Sequence, residues 1–304
     1  MYTEVAKNKR NSTILVLAFL IVTVLIGWVF AQALDSPWIL FIAAGSSILY
    51  TWISYYNSDK MVLAVSGAKE VKKADAPELY RTLENLTITA GLPMPRLYVI
   101  DDTAPNAFAT GRDPQHAVVC VTTGLLQKLD KRELEGVLAH ELSHIGNYDI
   151  RIMSLIAVLV SVIALLSDFF LRWGWLVGGG DDDSPGGNSN PIFFLVAIAL
   201  AIVAPIIGVI IQLAVSRKRE YLADASAALL TRYPDGLADA LEKISGDKEP
   251  LEAANKATAN MYIINPMRAN VEGKDARGFA AGLFSTHPPT AERVKRLRQM
   301  GDHA

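Results

Sequence analysis

The sequence predicts a mainly α-helical membrane protein, with four transmembrane helices and a cytoplasmic α+β domain that contains a small sheet. Hydrophobic residues make up 51% of the 304 residues and are concentrated in four long stretches. Short strand-like runs occur between the second and third of these stretches. Lys and Arg residues border the stretches on one side, which marks that side as cytoplasmic.

The four hydrophobic stretches are long enough to cross a bilayer, which requires about 20 apolar residues. They cover residues 13–34, 37–56, 152–177 and 192–215. Only the third contains charged residues, Asp168 and Arg172, which lie one helical turn apart and are expected to pair near the membrane surface. A proton relay through Asp168 is the alternative interpretation.

Charge in the connecting segments predicts the orientation of the chain. Three basic residues precede the first stretch and Arg217–Arg219 follows the fourth, whereas the loop 178–191 has three Asp residues and no Lys or Arg. The positive-inside rule therefore predicts a multi-pass membrane protein with both termini and the middle region in the cytoplasm. We expect the Gly- and Asp-rich loop to be a flexible outer connection. A second metal site at Asp181–Asp183 is the alternative.

The first stretch ends near Ala31-Gln32-Ala33, which resembles a signal-peptidase cleavage site. The apolar core before it is longer than the roughly 7–15 residues of a signal peptide, so we expect a retained membrane helix.

These signals divide the chain into five segments. In order, they are the cytoplasmic N-terminus (1–12), a first transmembrane hairpin (13–56), the first part of the cytoplasmic domain (57–151), a second transmembrane hairpin (152–215) and the second part of that domain (216–304). The first part is predicted to contain a helix over 77–90, strands at 96–100, 107–110 and 117–122, and a helix from Asp130 to about Gly146 with a Glu133 capping box. The second part is predicted to be largely helical, with a polar break at 270–278.

Composition excludes several classes of site. A net charge of -2 gives no basic footprint for nucleic acid, so no nucleic-acid partner is expected. The single cysteine, Cys120, excludes an internal disulfide and a cysteine-rich zinc site. It lies in the last predicted strand and is expected to be a buried thiol in a reducing compartment.

The most specific chemical pattern is His-Glu-Leu-Ser-His at residues 140–144, on a predicted helix. His140 and His144 are one turn apart on one face, so their ring nitrogens can reach the same Zn²⁺ ion. Glu141, between them, is placed to take a proton from a water nucleophile. The alternative is that the two histidines are only packed or solvated.

A third ligand must come from elsewhere, because Ile150 stands where a second type of zinc motif would have another histidine. Glu220 follows the fourth stretch and His144 precedes the third, so an antiparallel hairpin would bring the two together. Asp224, one turn beyond Glu220, could then accept a hydrogen bond from a ligand histidine. The alternative is that Glu220 is an ordinary juxtamembrane charge paired with a neighbouring arginine.

Four motifs in this order resemble the HtpX type of membrane zinc metalloprotease, a group related to the CAAX prenyl proteases. In chain order they are Asn106–Gly111, residues 139–144, Arg219–Asp224 and Ser285–Arg293. The resemblance extends over essentially the whole chain. It implies a gluzincin-like zinc protease domain, with one Zn²⁺ per chain bound by His140, His144 and Glu220 and with Glu141 as the base.

The resemblance also implies two further roles. His287 and Arg293 are expected to stabilise the transition state, in which a tetrahedral oxyanion needs fixed hydrogen-bond donors. An edge strand is expected to bind the substrate backbone by β-addition, through Asn106, Ala107, Phe108, Ala109 and Thr110. From the residues alone, a helix-start turn at His287, a solvated Arg293 and a structural edge strand stay open.

The function that the resemblance implies is endopeptidase cleavage of membrane or misfolded proteins at the cytoplasmic face of a bacterial-type cell (inner) membrane, in protein quality control under stress. The expected partners are protein substrates, the lipid bilayer and other membrane quality-control proteases. Two alternatives stay open at this point. One is a peptidase that processes lipidated peptide tails, and the other is a non-enzymatic membrane adaptor.

Overall fold

The computed structural model describes residues 2–33, 35–159, 217–254, 258–266 and 288–302. These residues form a mainly helical fold with one four-stranded mixed sheet, as predicted. Two described helices are long and apolar enough to cross a membrane, over Glu4–Leu25 and Trp38–Val65. They overlap the first two predicted stretches, 13–34 and 37–56. The fourth stretch, most of the third with Asp168 and Arg172, and the loop 178–191 lie outside the described residues.

Helices α1 (Tyr2–Ala33) and α2 (Trp38–Val65) pack against each other as a hairpin. The segment expected as a separate N-terminus forms the first turns of α1. The two helices approach closely at Gly27, where an added Cβ would lie 2.4 Å from the Cβ of Ala43. Such small residues let membrane helices pack by van der Waals contact alone.

Helix α2 continues beyond the predicted apolar stretch and connects the hairpin to the soluble domain. Its backbone departs from helical geometry at Asn57, with φ −124°, and the helix then runs on to Val65. In this extension Asp59 is buried and accepts a hydrogen bond from Arg96. The extension was not predicted because polar residues 57–60 interrupt the apolar pattern.

The sheet contains β1 (Lys69–Glu70), β2 (Arg96–Ile100), β3 (Ala107–Gly111) and β4 (Ala117–Thr122), in the order β1-β2-β4-β3. β2 and β4 are parallel, and the other pairs are antiparallel. The three predicted strands are confirmed, while β1 is too short to show a sequence pattern. The central strand β4 is fully buried, including Cys120, whose thiol pKa is raised by burial.

Helix α5 (Lys131–Gly146) packs against β3 and β4 and carries the histidine pair. Its predicted capping box is present: Asp130 Oδ1 accepts from the Glu133 amide at 3.0 Å, and Glu133 Oε2 accepts from the Asp130 amide at 2.7 Å. The predicted helix α3 (Pro77–Ala90) also packs on α5 and ends at Gly91, where φ is 66°. A short helix, α4 (Thr123–Lys128), links β4 to α5.

Four further helices complete the described fold. Residues 149–159 are helical and are called α6 here, and the others are α7 (Arg217–Thr231), α8 (Pro234–Gly246) and α9 (Thr290–Gly301). α7 and α8 pack on α5, and α9 packs on α7 and α8. The second soluble part is therefore largely helical where it is described, with irregular segments at 247–254 and 262–265, and the predicted break at 270–278 lies outside the described residues.

Candidate metal centre

Two histidines of α5 and one glutamate of α7 meet in the interior of the domain. His140 Nε2 lies 3.2 Å from His144 Nε2 and 3.8 Å from Glu220 Oε2, and His144 Nε2 lies 3.6 Å from Glu220 Oε1. All three residues are buried, and one ligand atom from each lies within 4.8 Å of the others. A tetrahedral ion with ligand distances of about 2.0–2.1 Å requires donor atoms about 3.3 Å apart. The cluster is thus the right size for a metal ion.

Glu220 reaches this position because α7 packs along α5. It lies in the first turn of α7 and faces the histidines, although 76 residues separate it from His144 (220 minus 144). The structure thus brings together the three residues that the sequence predicted as ligands.

The outer nitrogen of His140 is held by an ion pair from the C-terminal half. His140 Nδ1 lies 3.0 Å from Asp224 Oδ1, and Arg293 donates to both oxygens of Asp224, from Nε at 2.9 Å and from Nη2 at 2.7 Å. Burial lowers the pKa of His140 to about 4, which outweighs the hydrogen bond to Asp224. The imidazole is therefore neutral, which is the state that a metal ligand requires.

The outer nitrogen of His144 is held by Asp149, a residue that the sequence analysis missed. His144 Nδ1 lies 3.0 Å from Asp149 Oδ2, and Asp149 is itself buried in the first turn of α6. Burial lowers the pKa of His144, but the carboxylates of Asp149 and Glu220 outweigh it and raise the pKa to about 9, so a metal ion that binds Nε2 has to displace a proton from it. The one sequence signal was an Asp five residues after the second histidine, just beyond the predicted helix end.

Glu141 is buried beside the cluster and is not one of the three converging ligands. Its Oε1 atom has no hydrogen-bond partner among the described residues. Burial raises the pKa of Glu141 to about 7, opposed by the charge of His144 and by a hydrogen bond from the Ala109 backbone. A carboxyl group with this pKa can exchange a proton near neutral pH, as a general base requires.

The predicted substrate strand is β3, which lies at one edge of the sheet next to α5. At one end, the Ile263 amide donates to the Ala107 carbonyl at 2.9 Å, and Asn106 Nδ2 donates to the Ile264 carbonyl at 2.9 Å. At the other end, the Gly111 amide donates to Ser154 Oγ at 3.1 Å. The edge between these points passes Glu141 at Ala109. The side chains of Phe108 and Thr110 are buried, and Phe108 contacts Tyr262 while Thr110 contacts Ser154.

The remaining two predicted residues differ in what is known of them. Arg293 is fully buried, and besides Asp224 it donates to the Ile263 carbonyl from Nη1 at 3.0 Å. Its Nη2 lies 3.5 Å from both ring nitrogens of His140, so it is part of the cluster rather than a solvated side chain. His287 lies outside the described residues.

The fold and the cluster point to one class of protein, the HExxH metallopeptidases, in which helix histidines and a glutamate share a metal-dependent site. The chain belongs to peptidase family M48, whose family model matches residues 73–301. It is therefore a membrane metallopeptidase rather than a non-enzymatic adaptor.

Over its whole length the chain is similar to proteins named protease HtpX homolog. It is 45% identical to the one from Tropheryma whipplei (strain Twist) over 308 residues, which covers 99% of each chain. It is 41% identical to the one from Lactobacillus helveticus (strain DPC 4571) over 306 residues, which covers 99% of this chain and 100% of the other. The expected resemblance to the HtpX type is thus confirmed.

A solved structure shares the fold. The crystal structure of S. mikatae Ste24p aligns with a TM-score of 0.50 and 21% sequence identity, covering 98% of this chain and 67% of that chain.

Proposed function

We propose that the chain is a zinc-dependent endopeptidase that hydrolyses peptide bonds of membrane or misfolded proteins at the cytoplasmic face of the membrane. The observation that carries this proposal is the convergence of His140, His144 and Glu220 beside a buried Glu141 whose Oε1 has no partner among the described residues.

The donor set fits Zn²⁺. Two imidazole nitrogens and one carboxylate are the ligands of a typical catalytic zinc site, which keeps its fourth position for water or substrate. One Zn²⁺ per chain would be held by His140 Nε2, His144 Nε2 and a Glu220 oxygen. When bound there, zinc would polarise the scissile carbonyl and lower the pKa of the attacking water.

Glu141 is proposed as the base. Its carboxylate would take the proton of the attacking water and pass it to the leaving amine of the peptide. The proposal is supported by its position next to a metal ligand, its burial and its raised pKa.

The outer edge of β3 is proposed as the substrate-binding strand. An extended peptide that adds to this edge would run past Ala109 and therefore past Glu141. Because Ile263 and Ser154 bind the edge at Ala107 and Gly111, a substrate could add only at the short stretch centred on Ala109, which is buried and whose backbone donates to Glu141 in the described arrangement.

Arg293 and His287 are proposed to stabilise the transition state, as the resemblance implies. In the described arrangement, the donors of Arg293 bind Asp224 and the Ile263 carbonyl. Its first contribution is therefore to fix Asp224, which orients His140. Its Nη2 also lies 3.5 Å from His140 Nε2, so one donor of Arg293 is next to the proposed metal site.

The four-span topology, the five-segment division and the cytoplasmic orientation stay proposals, supported by the charge of the connecting segments. They can be tested with single cysteines, because the native Cys120 is buried and its thiol pKa is raised. In intact cells, Ser184→Cys in the loop 178–191 should react with a membrane-impermeant maleimide, whereas Asp302→Cys should react only after lysis. The reverse pattern would contradict the orientation.

Quality control of membrane and misfolded proteins under stress is the proposed physiological role, with other membrane proteases acting on the same substrates. The placement of the cluster supports it, since α1 and α2, the candidate membrane helices, both contact the catalytic domain. Asn8 of α1 binds the 147–149 turn, and Arg112, which follows β3, donates to the Tyr56 carbonyl of α2 at 3.1 Å. Substrates held at the membrane surface would therefore lie near the cluster.

The test is cleavage of an unfolded protein such as casein by the full chain in detergent with zinc. Glu141→Gln keeps the shape of the side chain but cannot take a proton, so we expect unchanged zinc content and a cleavage rate at least about 10²-fold lower. Glu135→Gln, on the partly exposed face of the same helix, is the matched control and should cleave normally. Normal cleavage by Glu141→Gln would rule out the proposed base.

A further inference from the structure

Asn8, in the first turns of the candidate membrane helix α1, is fully buried against the catalytic domain. Its side-chain Nδ2 donates to the Asn147 carbonyl at 2.8 Å and to Asp149 Oδ1 at 2.6 Å, across 139 and 141 residues of sequence. Both partners are hydrogen-bond acceptors, so the amide nitrogen, rather than the amide oxygen, must face them. An asparagine is thus used here as a double donor.

The carboxylate that Asn8 holds is the one that holds His144. Asp149 accepts from Asn8 through Oδ1 at 2.6 Å and lies 3.0 Å from His144 Nδ1 through Oδ2. Arg219 Nε also lies near Oδ1, at 3.6 Å, which is longer than the bond from Asn8. A carboxylate that accepts from Nδ1 keeps a ring proton on that nitrogen, so that Nε2 is the nitrogen that gives up its proton and binds a metal ion. His144 Nε2 is the atom that faces His140 and Glu220.

The turn that carries Asp149 depends on contacts of this kind. Tyr148 has φ 62°, a left-handed conformation that a tyrosine rarely adopts and that its surroundings must stabilise. Asn8 binds the residues on both sides of it, and Lys9 Nζ lies 4.4 Å from the centre of its ring. Two adjacent residues of α1 therefore hold the turn.

The docking of α1 at this place does not depend on Asn8 alone. Leu15, two turns further along α1, packs with Ile152 and Ile156 of α6 in a buried apolar cluster. The apolar contact sets the distance between α1 and α6, and Asn8 then adds directional hydrogen bonds.

We propose that Asn8 is a positioning residue of the metal centre, which fixes Asp149 against His144 and so makes the N-terminal membrane helix a contributor to metal affinity. The inference rests on the proposed function, because it takes His144 as a metal ligand. Removal of a residue that hydrogen-bonds to a ligand histidine or carboxylate typically weakens metal binding by about 10–100-fold.

The test is the zinc affinity of the full chain in detergent, measured by competition with a chromophoric chelator. Asn8→Leu removes both donors at similar size, and we expect at least about 10-fold weaker zinc binding together with an altered visible spectrum of the Co²⁺ form. Ser12→Ala is the matched control, since Ser12 is also buried on α1 but bonds only the Asn8 carbonyl of its own helix at 2.9 Å. It should bind zinc within about twofold of the wild type. If Asn8→Leu does not fold, Asn8→Ala removes the same donors with a strong helix former.

A double-mutant cycle separates positioning from a general effect on the fold. If Asn8 acts through Asp149, adding Asn8→Leu to Asp149→Ala should cause no further loss of zinc affinity. Additive losses, or an Asn8→Leu protein with wild-type affinity and Co²⁺ spectrum, would overturn the inference alone. A wild-type chain that binds no zinc would overturn it together with the proposed function.

Discussion

The two histidines of the cluster lie on the same helix, one turn apart and equally buried, yet their outer nitrogens are held by different parts of the chain. His140 is backed by Asp224, whose charge is balanced by Arg293 at hydrogen-bond distance. His144 is backed by Asp149, which accepts from the neutral amide of Asn8 at 2.6 Å and has the guanidinium of Arg219 further away, with Nε 3.6 Å from Oδ1. The C-terminal half thus supports one ligand, and the candidate membrane helix α1, together with Arg219 of α7, supports the other.

This difference explains the opposite proton affinities of two identical side chains. The pKa of His140 is lowered to about 4, because burial prevails over a carboxylate whose charge Arg293 balances. The pKa of His144 is raised to about 9, because Asp149 and Glu220 outweigh the same burial. The charged residues around each histidine, rather than its place in the motif, set its pKa. The predictions below disturb one side at a time.

The largest effect is expected on the His140 side. Asp224→Ala would leave the buried guanidinium of Arg293 without the carboxylate that accepts two of its hydrogen bonds, and with Glu220 Oε2 at 3.6 Å. We therefore expect a loss of about 3–5 kcal/mol in unfolding free energy. Denaturant unfolding in detergent measures it. The control is Asp239→Ala, which breaks a half-exposed pair with Arg298 and should cost no more than about 1 kcal/mol. Equal losses in the two variants would show that Asp224 does not balance a buried charge.

A smaller effect, mainly on metal binding, is expected on the His144 side. Asp149→Ala removes the acceptor that orients His144, so it should weaken zinc binding by about 10–100-fold. It also removes a carboxylate that lies 3.6 Å from Arg219 Nε, a longer contact than the two hydrogen bonds between Asp224 and Arg293. Its loss in unfolding free energy without metal should be smaller than that of Asp224→Ala. Chelator competition and denaturant unfolding measure the two quantities. If the order of the two variants in stability were reversed, Asp149 would carry more of the charge balance than the direct hydrogen bond from Asn8 and the longer contact with Arg219 imply, and the comparison would be wrong.

Local sequence signals predicted much of this architecture. Asp130 and Glu133 form the expected capping box, and the strands at residues 96–100, 107–110 and 117–122 are present because each is a short apolar run bounded by Gly or Pro. Glu220 was placed beside the histidines by a topological argument, and its position in the structure agrees. These features depend on short-range patterns or on the order of long apolar stretches.

The supports of the cluster could not be predicted in the same way. Asn8 and Asp149 meet across 141 residues, and neither belongs to a pattern with a known spacing. The left-handed Tyr148 that turns Asp149 back towards His144 carries no sequence signal, since glycine is the usual residue there. The bond between Ile263 and Ala107, which shortens the open edge of β3, also depends on tertiary packing alone.

The central claim is that one metal ion is shared by His140, His144 and Glu220, and zinc content tests it most directly. The full chain, purified in detergent and dialysed against a weak chelator, should retain one zinc per chain by elemental analysis. Glu220→Ala should retain little zinc. Glu249→Ala changes an exposed loop residue that is not part of the cluster, and it should retain the wild-type amount. Full zinc occupancy in Glu220→Ala would remove Glu220 from the ligand set and contradict the account.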